Sequence, residues 1–285
     1  MSTKLFSPLQ IRGLSVKNRI MLAPMCQYSA VNGIANDWHL VHLGSRAIGG
    51  AGLIMAEATG VVSEGRISNG CLALFNQAQC DALKPITKFL KSQNSIPAIQ
   101  LAHSGRKGVG DWEVYAPSSI AFSEQSKKPR ELTAKEIYQL VEHFSHSARL
   151  ALEAGFEVIE AHMAHGYLMH QFLSPLTNKR NDEFGGSLDN RMKFPLLVAQ
   201  ALRDTWPKDW PVFVRISATD WMQGGWDLEQ SVVLCNALKK IGIDLIDVSS
   251  GGTVANASIP VAPGFQVPFA KEIKKQVGIL TGTGG

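Results

Sequence analysis

The chain has 285 residues and a mass of 31.0 kDa, and its 45% hydrophobic content supplies a sizeable core and excludes a disordered protein. The net charge of +4 and the pI near 8.8 arise from scattered lysines and arginines whose densest run, KKPR ending at Arg130, is short, so no nucleic-acid partner is expected. Cys26, Cys71, Cys80 and Cys235 form no CxxC pair, the start MSTKLFSPLQ lacks a signal-peptide core, and no apolar run reaches bilayer length; a soluble cytoplasmic protein that engages no membrane is the expectation.

Short apolar runs alternate with amphipathic stretches along the whole chain, the pattern of repeated βα units around a parallel sheet. The predicted strands are Arg19–Ala23, Gly52–Ala56, Ile96–Leu101, Phe156–Ala161, Pro211–Ser217, Asp244–Ser249 and Gly278–Thr281. The predicted helices lie near Asp37–Ile48, Gln77–Ser92, Ala134–Ala154, Leu188–Thr205, Leu228–Ile241 and Pro268–Gln276. The third helix is the plainest. Thr133 and Glu136 have the spacing of a capping box, Ile137, Leu140, Val141, Phe144 and Ala148 share a face, and Gly155 follows as a stop. The count is one βα period short of an eight-stranded α/β barrel. No linker or composition shift divides the sequence, so residues 1–285 read as a single TIM-barrel domain that ends after about strand seven.

The most informative segment is EAHMAHGYL, Glu160 to Leu168, which follows the predicted fourth strand. Residues at the C-terminal ends of parallel barrel strands share one face, where catalytic groups gather. Two imidazoles, His162 and His165, can donate two hydrogen bonds to one carbonyl or phenolate oxygen, and the phenol of Tyr167 keeps its proton at neutral pH and can deliver it to carbon. That is equipment for polarising and protonating an unsaturated carbonyl compound. A metal site built on the same histidines with Glu160 is the competing reading, but no second ligand cluster with metal spacing is visible and no metal is expected. The other strand ends contribute Pro24, Met25 and Cys26, then Ala58, then Gln100 and His103. Arg215 lies in VFVRIS with no carboxylate beside it; an electron-rich ligand atom is an attractive partner, and an ion pair to a neighbouring strand is the plainer one. No GxGxxG turn joins a strand to a helix, so no separate dinucleotide domain is expected. His39, His42, His143 and His146 fall on helices, the first two read as packing and the last two as surface residues.

Four segments carry a resemblance: LFSPLQIRGLSVKNRIMLAPMCQYSA, IQLAHSGRKG, EAHMAHGYLMHQFLSPLTNKRNDEFGGSLDNR and VFVRIS. They resemble the old yellow enzyme family of FMN-dependent ene-reductases, and PMCQY is similar to the branch of bacterial NADPH dehydrogenases and xenobiotic reductases with a cysteine beside the flavin. The resemblance implies bound FMN and NADPH or NADH as hydride donor. Ala23, Pro24, Met25 and Cys26 would lie along the flavin, Ala58 at its edge, and Gln100 and Arg215 at its pyrimidine portion. His162 and His165 would hold the substrate oxygen, Tyr167 would be the general acid, and Tyr28 would touch the ligand. Arg106 and Lys107 would meet a nicotinamide phosphate or the substrate.

The activity implied is ping-pong reduction of activated C=C bonds in small enones or nitro compounds, and the family allows a homo-oligomer. Family members continue past this point with an eighth strand and the FMN-phosphate contacts. Two other readings stand beside this one: a noncatalytic barrel remnant that binds a ligand or partner, and a metal-dependent barrel lyase or hydrolase.

Overall fold

The computed structural model describes residues 3–284. The chain opens with a small hairpin, β1 (Leu9–Ile11) and β2 (Leu14–Val16). It then alternates β3 (Met21–Leu22), α1 (Asp37–Ile48), β4 (Leu53–Gly60), α2 (Gln77–Ser92) and β5 (Ile96–Ala102). A long excursion follows, held by the short parallel pair β6 (Tyr115–Ala116) and β7 (Arg130–Glu131). Next come α3 (Ala134–Glu153), β8 (Val158–Met163), the short α4 (Leu168–Leu173), α5 (Leu188–Thr205), β9 (Val212–Ser217), α6 (Leu228–Ile241), β10 (Leu245–Ser249), α7 (Val267–Val277) and β11 (Leu280–Thr283).

Seven strands form one sheet in the order β11-β10-β9-β8-β5-β4-β3, and all its neighbours are parallel. The described residues thus supply a curled βα sheet of seven strands with β3 and β11 at its edges.

Two apolar clusters show how the sheet's alternation is used. On β8, Ile159, Ala161 and Met163 join the large core between sheet and helices, with Phe144, Phe172 and Phe194 from α3, α4 and α5. Val158 points the other way. It packs with Leu53, Met55, Ile96, Ala98, Phe213 and Leu245 on an apolar floor, and Ile11 and Val16 of the hairpin join it there. Arg12, at the hairpin's turn, donates 2.6 Å to Asp244 beside β10 and 2.8 Å to the carbonyl of Gly242. The floor is therefore plugged at the strands' N-terminal ends, and the next inward positions toward their C-terminal ends are free to be polar.

The predicted helices match closely: five of the six begin at a side-chain cap, with Asn36, Asn76, Thr133, Ser187 and Asp227 each accepting a backbone hydrogen bond at the helix N-terminus, and α7 begins with a proline in its first turn instead. The strands differ more. The predicted Gly52–Ala56 runs on to Gly60 through a register shift between Ala56 and Ala58, where Glu57 is inserted. The predicted Phe156–Ala161 lies two residues later, so His162 is inside β8 and not beyond it.

The capping box of α3 is formed in both directions, with Thr133 and Glu136 each bonding the other's amide. Thr133→Ala should therefore lower unfolding free energy by about 1 kcal/mol, read as a lower urea midpoint at unchanged slope.

Candidate active site

Parallel pairing sets the side chains above the floor side by side. Gln100 is opposite Glu160, His162 opposite Arg215, Arg215 opposite Asp247, and Ser217 opposite Ser249. Gln100 Nε2 donates to Glu160 Oε1 at 2.8 Å, and Arg215 Nε lies 3.2 Å from Asp247 Oδ2. One buried layer thus contains an amide, a guanidinium and two carboxylates. Above it, the ring of His162 meets those of His165 and Tyr167 edge-on, with centroids 5.1 Å and 5.0 Å apart.

The loop after β8 owes its shape to a left-handed turn. His165 has φ +59°, a costly conformation for a side chain with a Cβ, and it persists because both of its backbone groups are held. Its amide donates 2.9 Å to Ser217 Oγ, and its carbonyl accepts 2.9 Å from Lys107 Nζ. Gly166 follows at φ +72°, where a Cβ would stand 2.0 Å from the carbonyl oxygen of Gly252, so only glycine lets the loops after β8 and β10 touch. His165 Nε2 lies 2.7 Å from Ser249 Oγ.

A second buried group ties three loops together. Asp220, after β9, accepts from Ser174 Oγ at 2.6 Å, from Thr253 Oγ1 at 2.5 Å and from the amide of Trp226 at 2.8 Å, and it pairs with His170 Nε2 at 2.9 Å. His170 Nδ1 in turn accepts from the amide of Gly166. This assigns the ring proton to Nε2, facing Asp220. Burial pushes the Asp220 carboxyl up, but attraction to His170 and the hydrogen bonds from His170, Ser174 and Thr253 outweigh it and hold the group down to about 2.

Burial decides the protonation states of the reactive residues. Desolvation, aided by the charges of Arg215 and Lys107, holds His162 and His165 well below the ordinary imidazole range, so both are neutral near pH 7. Burial raises the Tyr167 phenol above its ordinary value, and burial with Cys71 and Glu57 pushes the Cys26 thiol up to about 12. Cys26 is therefore a thiol and not a thiolate. Tyr28 lies two residues on, at φ +53° and mostly exposed.

Several expectations are corrected by these contacts. Arg215 does have a carboxylate neighbour, Asp247, supplied by the next strand. Arg106 is buried, and its guanidinium is spent on the carbonyls of Ile120, Ala121 and Thr253; Lys107 reaches the carbonyls of His165 and Gly252. Both hold loops. Glu160 turns to Gln100 and makes no ligand set with the histidine pair; the compact His/Cys/Asp/Glu group among the described residues is Cys80, Asp81 and Glu153, where Lys84 already bridges the two carboxylates. His39 is buried 3.4 Å from Glu57, and His143 and His146 are exposed. Ala23, Pro24, Met25 and Cys26 follow β3 directly, Ala58 is buried just past the register shift of β4, and Met25 lines a 340 Å³ groove with Gln27, Trp38, Val41, His42 and Arg46. None of the histidine–tyrosine cluster lines that groove. His170, Asp220, Thr253 and Asp247 escaped the sequence reading because each matters only through a partner from another βα unit.

A parallel βα sheet carries neutral imidazoles, a phenol and a guanidinium toward the C-terminal ends of its strands, the catalytic face of an α/β-barrel enzyme. Residues 4–281 match the model of the NADH:flavin oxidoreductase / NADH oxidase family. An NADPH dehydrogenase of Listeria welshimeri is 49% identical over 99% of this chain and 83% of its own length. Among solved structures, morphinone reductase superposes with a TM-score of 0.84 at 26% identity, covering 99% of this chain and 79% of that one. A 2-naphthoyl-CoA reductase in complex with 2-naphthoyl-CoA gives 0.92 at 25% identity; this chain spans 98% of itself but 46% of that longer chain. The chain belongs to the NADH:flavin oxidoreductase family of old yellow enzyme type, with FMN as cofactor and NAD(P)H as hydride donor.

The residues present fit that cofactor. His162 Nδ1 and Glu160 Oε2 are buried without a hydrogen-bond partner among the described residues, and Arg215 Nε and Asp247 Oδ2 have only their 3.2 Å ion pair with each other. Such atoms are rare unless a ligand or water completes them, and a ring bearing N–H and C=O groups offers complementary partners.

Asp220 gives a pH signature. Its folded pKa is depressed, so its stabilisation is present above the unfolded value of about 4 and is lost as pH falls through about 2. The gap in unfolding free energy between wild type and Asp220→Asn, followed by urea titration, should narrow as pH drops from about 4 to about 2.

Proposed function

We propose that this chain reduces the activated C=C bond of small α,β-unsaturated carbonyl or nitro compounds in a ping-pong cycle. The observation that carries this reading is the cluster of His162, His165 and Tyr167, with both imidazoles kept neutral and the phenol kept protonated by burial. Neutral imidazoles are hydrogen-bond donors that do not acidify the pocket, and a phenol that resists ionisation keeps a proton to give.

Gln100 and Arg215 would hold the pyrimidine end of FMN, Ala58 its edge, and Ala23, Pro24, Met25 and Cys26 the face of the ring. FMN, when bound, carries the hydride from NAD(P)H to the β carbon of the acceptor. His162 and His165 bind the acceptor's oxygen and draw electron density from that carbon. Where Ser249 Oγ donates to Nε2 of His165 in place of Gln266, the ring proton sits on Nδ1 and is the one available to the substrate oxygen. Tyr167 holds its proton at the phenol oxygen and delivers it to the α carbon. Lys107, 5.1 Å from the Tyr167 ring centroid and held down to about 8 by burial and Arg106, adds a cationic edge to the same pocket. Tyr28, exposed beside Cys26, contacts the ligand, and the neutral Cys26 thiol shapes the pocket wall.

Tyr167→Phe should leave reduction of the flavin by NAD(P)H nearly intact and slow reduction of the alkene, since only that half needs the proton. A loss on the order of a hundred- to ten-thousandfold is expected. Stopped-flow absorbance resolves the two halves, and equal slowing of both would remove Tyr167 from the acid role.

His162→Ala with His165→Ala should abolish the long-wavelength charge-transfer band when a phenol is titrated into oxidised holoenzyme, because both donors to the phenolate oxygen are gone. An unchanged phenol affinity in the double variant would contradict the oxygen clamp.

A further inference from the structure

Below the histidines, two carboxylates share one cation. Glu160 is fully buried, accepts one hydrogen bond from Gln100, and leaves Oε2 without a partner. Asp247 is also buried, and it is Asp247 that lies 3.2 Å from Arg215. Glu160 has no cation of its own within ion-pair distance among the described residues. If both acids were ionised, the layer would carry a net negative charge directly above the apolar floor of Met55, Val158, Phe213 and Leu245. An uncompensated charge in such surroundings is strongly disfavoured, and the usual escape is to keep the proton.

We propose that Glu160 is a neutral carboxylic acid in the working enzyme, and that its proton leaves Arg215 balanced by a single carboxylate, which makes Glu160 a positioning residue for the charge that Arg215 presents to the flavin.

The groups that face Glu160 are few. β5 brings the neutral amide of Gln100, β8 the neutral ring of His162, β9 Arg215 and β10 Asp247; β4 and β11 bring apolar Met55 and Leu280 to the floor. Burial and then Asp247 push the Glu160 carboxyl up to about 8, with Arg215 and Gln100 pulling the other way. Burial also raises Asp247, against the pull of Arg215. Asp247 keeps the charge because it has the closer cation, and Glu160 keeps the proton.

The consequence is a linkage. Reduced flavin is richer in negative charge at its pyrimidine end, so it is favoured while Glu160 is neutral and disfavoured once Glu160 ionises. Conversely, reduction should tighten the hold of Glu160 on its proton. The inference rests on the reading that Arg215 faces the flavin, and its two tests separate the proton from that placement.

The first test is the infrared carbonyl band of a protonated carboxyl in oxidised holoenzyme near pH 7. Wild type should show it, and Glu160→Gln should lose it. Asp247→Asn should lose it too, because Glu160 would then ionise to balance Arg215. Absence of the band in wild type, or its persistence in Asp247→Asn, overturns the proposal.

The second test is the flavin midpoint potential between about pH 6 and about pH 9, where Glu160→Gln mimics the neutral acid. The two proteins should agree at the acid end. They should then diverge through about pH 8, with wild type losing about tenfold in relative affinity for reduced over oxidised flavin. A protonated-carboxyl band with no divergence in potential overturns the link to the flavin and the placement of Arg215 with it. That result leaves the alkene chemistry of Tyr167 to its own stopped-flow test.

Discussion

Hydrogen bonding between parallel strands decides which side chains face one another inside the sheet, and everything at the site follows from that pairing. With Gln100 set against Glu160, His162 against Arg215, and Arg215 against Asp247, four strands deliver one contiguous polar layer. A one-residue slip of β8 would send His162 and Glu160 toward the helices and bring Ala161 and Met163 inward. The apolar floor of Val158, Phe213 and Leu245 opposes such a slip, because the same shift would expose it to the polar layer. The site is therefore specified by the packing beneath it as much as by its own residues.

Burial then does chemical work. The same desolvation that makes a buried imidazole neutral makes a buried phenol hold its proton, so burial keeps His162 and His165 uncharged and Tyr167 protonated. Cys26 follows the same rule. A thiolate there would need a cation beside it; burial, Cys71 and Glu57 push the thiol up, and they outweigh the opposing pull of Tyr28 and the Ala58 backbone.

The βα rhythm, the capping box of α3 and the histidine–tyrosine cluster were legible in the sequence because each is a local signal: an N-cap followed by an amphipathic face, or a motif read within nine residues. The identity of Arg215's partner was not, since Asp247 lies in a different βα unit and only the β9–β10 register puts them together. The same holds for His170 and Asp220, and for Arg106 and Lys107, whose charges invite a phosphate until the loop carbonyls they hold are seen. The hairpin of Leu9–Ile11 and Leu14–Val16 was too short to carry a strand pattern, yet it supplies part of the floor. Glu57, inserted at the shift in β4, lengthens that strand in a way that no alternation of apolar residues announces.

The strained residue shows how the loops and the sheet cooperate. His165 sits in a left-handed conformation that costs on the order of 1–3 kcal/mol, and such a conformation survives only where surrounding contacts over-determine it. Ser217 comes from β9, Lys107 from the turn after β5, and Ser249 from β10, so three separate strands converge on this one residue. Gly166 and Gly252 let the loops approach closely enough for Lys107 to hold both at once. The Asp220–His170 pair then fixes the amide of Gly166 from behind. Under the proposed function, a substrate oxygen at His165 would meet a ring whose position is set by folding, with little reorganisation left for binding.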